Sequence, residues 1–391
     1  MMDKMLIVVP NLGSGGQERV AVNIAELLGS DYEITICTFT LNEQAYFPTC
    51  NVISMDIPST NNPAIKIINC IKRMLRLRRY VEQEHIKYVI SISASAGILN
   101  IGLGKNVICM TQEHGYRAVN KGILAKMVYK RANCITACSK GLCDAIKTSM
   151  PIISDKCFPL YNPNMIDEIY MKSKEKIYWE PEQGYKYIVS CGRLEEVKNY
   201  PRLIKAFKLF VQKHEKWKLL LIGDGTDRKK LEMLARDLEL DKYIEFVGMQ
   251  TNPFAYMAKC ELFVLSSYNE GLPNSLIEGM CFCPVVSVDC LVGPKEILSD
   301  DASVIVDEPV VADYGIMVPA AHYGYEKSMT SDINEDDISL YKGMCIIVED
   351  KELYYRLYIQ GKKRVAYFDG KRYRERILQI IDNVTLWKTD G

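Results

Sequence analysis

The sequence has no excess charge of either sign: Lys plus Arg and Asp plus Glu both count 49. That balance removes any whole-protein argument for nucleic acid or for a strongly acidic partner, and leaves only local patches to weigh. No run of roughly 18 apolar residues is available to span a bilayer, and the apolar stretch from Met5 to Pro10 is only strand length, too short for the core of a secretory signal. The chain is therefore expected to be neither secreted nor integral to a membrane, and to work in the cytoplasm. The 14 cysteines include no pair of couplets at zinc spacing: Cys281 and Cys283 are 2 apart, Cys134 and Cys138 are 4 apart, and none lies near a histidine in sequence. No metal site is expected. Several cysteines (Cys37, Cys109, Cys191) sit inside apolar runs, as buried thiols do in a reducing compartment. Low-complexity segments and short-period repeats are also missing.

What is present suits a folded chain with two cores. The 391 residues are 48% hydrophobic and 25% charged, and length divided by about 150 is a fair prior on domain count. Short β-branched runs alternate with segments of helical period, the pattern of parallel sheets built from βαβ units. Strands are predicted near Met5 to Val9, Glu33 to Thr38, Asn51 to Asp56, Lys87 to Ser93, Asn106 to Thr111, Asn133 to Ala137 and Lys156 to Tyr161. The first helix is legible from Val20, Ile24, Leu27 and Leu28, which share one face.

Asn162-Pro163-Asn164 closes this half, and the polar stretch from Met171 to Gly184 reads as a linker. Further strands are predicted at Tyr187 to Cys191, Trp217 to Ile222, Tyr243 to Val247, Glu261 to Ser266 and Pro284 to Val288. From Ser299 to Ile338 periodicity weakens, so a long loop with a short strand near Gly315 to Val318 is expected. The last thirty residues read as a helix with Tyr373, Ile377, Ile380 and Ile381 on one stripe. The expected division is an α/β domain over 1–170, a second over 171–365, and a C-terminal helix over 366–391 packing back towards the first.

Three segments can carry chemistry. The first strand runs through Pro10-Asn11-Leu12-Gly13-Ser14-Gly15-Gly16 into a helix, bringing free backbone N–H groups to a helix N-terminus suited to phosphate or sugar oxygens. The glycine spacing fits neither a full dinucleotide fingerprint nor a P-loop. In the second half, Arg193 and Lys198 of Gly192-Arg193-Leu194-Glu195-Glu196-Val197-Lys198 follow the carboxyl end of a strand, where ligands of open α/β sheets bind. A guanidinium fork and an ammonium there can neutralise a diphosphate leaving group, although most such pairs are simply solvated. The third segment, Tyr268-Asn269-Glu270-Gly271-Leu272-Pro273-Asn274-Ser275-Leu276-Ile277-Glu278, puts Glu270 in a post-strand loop and Glu278 in the first turns of the next helix. Two carboxylates so placed can accept hydrogen bonds from two sets of hydroxyls, as on a hexose and a ribose. Glu278 can equally serve the helix dipole.

His114, in Thr111-Gln112-Glu113-His114-Gly115, follows a strand of the first half and is expected to face the cleft between the halves; His85, His214 and His322 have no assigned role. Lys66 to Arg79 reads as a basic amphipathic helix, with Lys72, Arg73, Arg76 and Arg79 on one side and Ile68, Ile71 and Leu75 near the other. Lys121, Lys126, Lys130 and Arg131 add a second basic stretch. Both suit peripheral contact with an anionic membrane, or a solvated helix face.

Taken in order, the Gly15-Gly16 loop, the Gly192-Arg193 to Lys198 segment, and Glu270 followed after seven residues by Glu278 resemble the retaining family 4 glycosyltransferases of the GT-B fold. The resemblance covers nearly the whole chain. It extends to Asn162-Pro163 and to Gly293-Pro294-Lys295-Glu296-Ile297-Leu298, which look like bacterial members that assemble surface polysaccharides or lipid-linked oligosaccharides. It implies two Rossmann-like doubly wound α/β domains facing across a cleft. By resemblance, Arg193 and Lys198 hold the donor diphosphate and Glu278 the ribose hydroxyls. Glu270 with Gly271, Leu272, Pro273 and Asn274 grips the donor sugar, His114 sits beside it at the reaction centre, and Gly15 and Gly16 let the loop approach the phosphates. The donor implied is a nucleotide-sugar, as its UDP form, and the acceptor a glycan, as its polyprenyl-diphosphate-linked form. No metal or other cofactor is implied, and anomeric configuration is retained through attack on the leaving-group face. Rival readings are a nucleotide-sugar epimerase or sugar phosphorylase on the same fold, and a non-catalytic partner subunit.

Overall fold

The computed structural model describes residues 2–13, 15–41, 45–115 and 122–389, with side chains as far as Leu386. Ser14 of the first loop and Lys121 of the second basic stretch lie outside the described residues. The chain divides into two units, Met1–Asn164 with Phe368–Gly391, and Met165–Tyr367.

The first unit is a seven-stranded sheet of β1 (Lys4–Val9), β2 (Glu33–Thr38), β3 (Asn51–Ser54), β4 (Tyr88–Ile92), β5 (Ile108–Glu113), β6 (Cys134–Ala137) and β7 (Cys157–Pro159), in the order β3-β2-β1-β4-β5-β6-β7. Every pairing is parallel. Both faces must then be covered, and the strand alternation shows how. Met5, Ile7 and Val9 pack with Val20, Ile24 and Leu28 of the helix Gly16–Leu28 and with Tyr373, Ile377, Ile380 and Ile381 of the C-terminal helix Gly370–Thr389. Leu6 and Val8 point the other way, onto Leu77 and Val81 of the helix Pro63–Gln83. The C-terminal helix is further tied down by a bidentate contact of Arg374 with Asp31, at 2.7 and 3.1 Å.

The helix Pro63–Gln83 corrects the expected distribution of faces. Arg73 is buried, stacked 4.0 Å over Phe39, and donates through Nε and Nη2 to the Ile57 carbonyl at 3.0 and 2.8 Å. Ile65, Ile67, Ile68, Ile71 and Leu75 are exposed instead. A guanidinium with carbonyl partners and an aromatic platform can be buried, and here Arg73 turns inward, away from the basic side it was expected to share with Lys72, Arg76 and Arg79.

The second unit has β8 (Lys186–Cys191), β9 (Trp217–Ile222), β10 (Ile244–Gly248), β11 (Leu262–Leu265), β12 (Val285–Val288), β13 (Val310–Val311) and β14 (Ile316–Val318), ordered β10-β9-β8-β11-β12-β14-β13. All pairings are parallel except the antiparallel edge β13–β14; β14 is the short strand expected near Gly315 to Val318, and β13 falls in the stretch expected as loop. Leu203, Ile204, Phe207 and Phe210 of the helix Tyr200–Lys213 pack with Leu219 and Leu221 of β9 and with Leu340, Met344 and Ile347 of the helix Glu335–Glu349. Each such buried side chain contributes about 1.5–3 kcal/mol.

The first division falls after Asn164 instead of residue 170, because Ile166 and Ile169 of the helix Ile166–Lys172 are buried and Tyr170 meets Phe282 edge-on at 5.9 Å, within the second unit. The stretch expected to be a free linker is also packed: Trp179 donates to Glu245 at 2.8 Å and stacks on Tyr256 at 5.5 Å. The second division falls at Tyr367–Phe368, where Asn164 exchanges backbone hydrogen bonds with Phe368 and Gly370 at 3.1 and 2.8 Å.

Candidate active site

Chain order reverses within each sheet between β1 and β4 in the first unit and between β8 and β11 in the second. In open parallel sheets, ligands bind in the crevice outside the carboxyl ends of the strands at such a point.

In the second unit the loops that follow β8 and β11 are the two that carry the charged residues singled out above. After β8, a single helical turn Glu196–Lys198 ends at Asn199 in the left-handed conformation, φ 47°, and the helix Tyr200–Lys213 begins with Pro201 in its first turn. This break holds Lys198 at the rim of the sheet. After β11, Ser266 donates through Oγ to the Lys198 carbonyl at 2.8 Å and Tyr268 donates its N–H to Val197 at 2.9 Å. The two loops are thus joined by one side-chain and one backbone hydrogen bond, and their side chains meet: Lys198 Nζ lies 2.7 Å from Glu270 Oε1, which also accepts from Ser267 Oγ at 2.7 Å. The pair is largely withdrawn from solvent, with side chains 19% and 12% exposed.

Arg193 sits two residues past β8, its side chain mostly solvent-exposed, and donates to Glu195 at 3.0 Å. Glu278 is buried on the helix Asn274–Met280, which begins directly after the Glu270 loop; Gly271, Leu272 and Pro273 of that loop are buried too. Arg193, Lys198, Glu270 and Glu278 therefore all belong to the same end of one unit, and two of them touch.

Two glycines shape this crevice: Gly223, which the sequence reading does not single out, and Gly293, which it names only as the first residue of the stretch to Leu298. Gly223, following β9 with φ +140°, passes so close to the Gly192 carbonyl that a Cβ would lie 2.0 Å from it. Gly293, following β12 with φ +94°, would put a Cβ 2.7 Å from the Gly271 carbonyl. Both are needed for backbone approaching backbone where no side chain fits. The available signal was a Gly directly after a strand, as in Gly223-Asp224-Gly225. Ser267, the second donor to Glu270, carried no such signal. Nor did the ties of the 319–338 segment to this end of the unit: Tyr325 donates to Asp227 at 2.7 Å, and Tyr268 bonds Ser328 at 2.8 Å.

In the first unit, Gly15 caps the helix Gly16–Leu28 at the end of the loop that leaves β1, where Gly13 N–H donates to Asn11 Oδ1 at 2.8 Å. The space beside Gly16 is open: a Cβ there meets nothing within 4 Å. His114 follows β5, its Nε2 buried without a hydrogen-bond partner among the described residues. Burial lowers the imidazole to about 4, against the opposing effect of a hydrogen bond with Asn162, so the ring is neutral at physiological pH.

Residues 172–314, all of them in the second unit, match the family described as glycosyl transferases group 1. The chain is 26% identical over 385 residues, covering 94% of it and 96% of the relative, to a Campylobacter jejuni N-acetylgalactosamine-N,N'-diacetylbacillosaminyl-diphospho-undecaprenol 4-alpha-N-acetylgalactosaminyltransferase. A second C. jejuni relative is a GalNAc-alpha-(1->4)-GalNAc-alpha-(1->3)-diNAcBac-PP-undecaprenol alpha-1,4-N-acetyl-D-galactosaminyltransferase, 26% identical and covering 98% of this chain and 99% of its own. Among solved structures, Anabaena HepE in complex with UDP-glucose superposes with a TM-score of 0.73 at 15% identity, over 97% of this chain and 99% of that one. With two doubly wound units, the charged crevice in the second, and these relatives along nearly its whole length, the chain is a glycosyltransferase of the GT-B fold bearing a group 1 glycosyl transferase domain.

Proposed function

We propose that the chain moves a hexosyl or N-acetylhexosaminyl group from a UDP-sugar to a glycan carried on a polyprenyl diphosphate, with retention at the anomeric carbon and without a metal ion. The observation that carries this reading is the contact of Lys198 with Glu270 where β8 and β11 diverge. An ammonium and a carboxylate at one crevice offer what a nucleotide-sugar presents side by side: anionic phosphate and neutral hydroxyls. Lys198 and Arg193 take the diphosphate, whose negative charge grows as the glycosidic bond breaks, and so perform the work otherwise left to a divalent cation. Glu270, held by Ser267, accepts from the sugar hydroxyls, with the backbone of Gly271 to Asn274 beside it, and Glu278 accepts from the ribose. In the first unit His114 is neutral, and the loop at Gly15 and Gly16 leads to a helix N-terminus suited to phosphate or sugar oxygens. The acceptor attacks the face from which the diphosphate departs, and the departing phosphate oxygen receives the acceptor's proton.

The acceptor class rests on the two C. jejuni relatives and on the surface of the first unit. The helix Pro63–Gln83 exposes Ile65, Ile67, Ile68, Ile71 and Leu75 together with Lys66, Lys72, Arg76 and Arg79, and the helix Gly122–Arg131 exposes Ile123, Leu124 and Met127. Exposed apolar side chains among lysines and arginines suit the interface of an anionic membrane, where a polyprenyl-linked substrate resides. Among the described residues no helix is long and apolar enough to cross one.

Calorimetric titration of UDP in the presence of a chelator tests the donor half, with Arg193→Ala expected to weaken binding about tenfold or more; full affinity in that variant removes the phosphate assignment. Mass spectrometry of products from a donor panel and a lipid-linked acceptor tests the transfer itself. Release of free sugar or its epimer without transfer overturns the reading.

A further inference from the structure

Sequence spacing gave no reason to expect a metal, because spacing registers only neighbours along the chain. The fold of the second unit brings three ligand types together from two distant helices. His214 is the C-cap of the helix Tyr200–Lys213 and lies against the Phe210 ring at 4.5 Å between centroids. Cys345 and Glu349 sit one turn apart on the helix Glu335–Glu349, so their side chains share a face. His214 Nε2 is 3.1 Å from Glu349 Oε1 and 3.9 Å from Cys345 Sγ, and all three ligand atoms lie within 4.8 Å of one another.

We propose that His214, Cys345 and Glu349 form a binding site for a zinc-class divalent cation that fastens the helix Tyr200–Lys213 to the helix Glu335–Glu349. Nitrogen and sulfur bonded to one tetrahedral zinc at about 2.0–2.3 Å lie about 3.3–3.6 Å apart, so the observed spacing closes with small side-chain movements. One imidazole, one thiolate and one carboxylate make a borderline-soft set that favours zinc or cobalt over magnesium or calcium, which take oxygen. Binding releases the thiol proton to solvent, and the metal displaces Lys213, whose Nζ now lies 2.6 Å from Glu349. Water completes the coordination.

The site is structural. Lys198 precedes the helix Tyr200–Lys213 and His214 follows it, so the 14 residues of the helix keep the metal roughly 20 Å from the charged crevice. It is accordingly independent of the activity proposed above. Cys345 is buried, His214 is mostly buried and Glu349 is 40% exposed, which leaves an entry path on the Glu349 side.

The reduced full-length protein is titrated with cobalt and then zinc. Expected are a thiolate-to-cobalt charge-transfer band that zinc abolishes, a melting temperature that rises with zinc, and the loss of both in Cys345→Ser with the unliganded melting temperature kept. The other cysteines make that variant the decisive control. Glu349→Gln is expected to keep the band and weaken cobalt at least tenfold, since even groups that only orient ligands cost 10–100-fold when lost. No charge-transfer band in the wild type, or an undiminished band in Cys345→Ser, overturns the proposal.

Discussion

Replacing Lys198 by Ala tests the charged crevice most directly. In the free protein Lys198 and Glu270 are held 2.7 Å apart and mostly out of solvent, so the substitution acts in two opposed ways. It removes a charge-assisted contact to the diphosphate, worth about 1.5–3 kcal/mol, and it removes the competitor that Glu270 must release before binding a sugar. The first effect dominates for UDP, which has no sugar to engage Glu270, and the released Glu270 charge faces the phosphates without its partner. UDP affinity should therefore fall roughly 10–150-fold. Glu270→Gln reverses the prediction: it frees Lys198, keeps a group that can accept from Ser267, leaves UDP binding unchanged or tighter, and weakens the UDP-sugar selectively. Calorimetry with UDP and with a UDP-sugar on both variants, each checked by thermal melting, separates the two roles. Wild-type UDP affinity in Lys198→Ala, or equal losses for both ligands in both variants, would refute the division of labour.

Gly293→Ala should cost about 1–3 kcal/mol, because φ +94° becomes strained and a Cβ crowds the Gly271 carbonyl; thermal melting reads the loss, and donor-sugar affinity should fall with it. His114 is held near 4 against an ordinary value of 6.5, so its contribution is complete above about 6.5 and is lost as pH falls towards about 4. His114→Gln should flatten the stability profile in that window, and an unchanged profile would refute this. Lys205→Ala strands buried Asp337, its partner at 2.9 Å, and should cost about 3–5 kcal/mol by denaturant titration. Replacing Ile68 and Ile71 by Gln should reduce sedimentation with anionic vesicles while leaving the melting temperature unchanged, since both side chains are exposed.

The sheets were legible because parallel strands buried on both faces are written as apolar runs such as Met5–Val9 and Trp217–Ile222, which depend on local composition alone. The edge strand Val310–Val311 was not: two residues contain no period, and its antiparallel partner β14 defines it. The face of the helix Pro63–Gln83 was misread because periodicity scores arginine as outward, and cannot register that the Ile57 carbonyl and the Phe39 ring wait inside. At the crevice, residue types and their positions after strands were readable, so Lys198 and Glu270 could each be named. Their contact spans 72 residues and exists only because β8 and β11 are neighbours at the reversal of chain order, a relation no spacing rule contains. The need for glycine at 223 and 293 was illegible for the same reason, since what makes each necessary is a carbonyl from another loop.

The chain from Pro319 to Asp337 explains why the helix after Lys198 carries buried charge at all. Arg202 and Lys205, both fully buried, reach out of that helix to the chain around it: Arg202 donates to the carbonyls of Asp336 and Pro319 at 2.9 and 3.1 Å, and Lys205 pairs with Asp337 and donates to the Asp332 carbonyl at 3.0 Å. Burying such cations costs several kcal/mol each, which apolar residues of similar volume would not, so hydrophobic packing alone does not account for them. What they provide is direction. Together with Tyr325 on Asp227 and Tyr268 on Ser328 they hold the 319–337 segment to the loops after β8, β9 and β11. Lys198 is thereby set at the N-terminal end of a helix clamped along its length, and Glu270 in a loop fixed two residues earlier at Tyr268. A site whose purpose is to meet charge as it develops gains from groups that need not be reorganised at that moment, and the buried charges are the fastening that keeps this one in place.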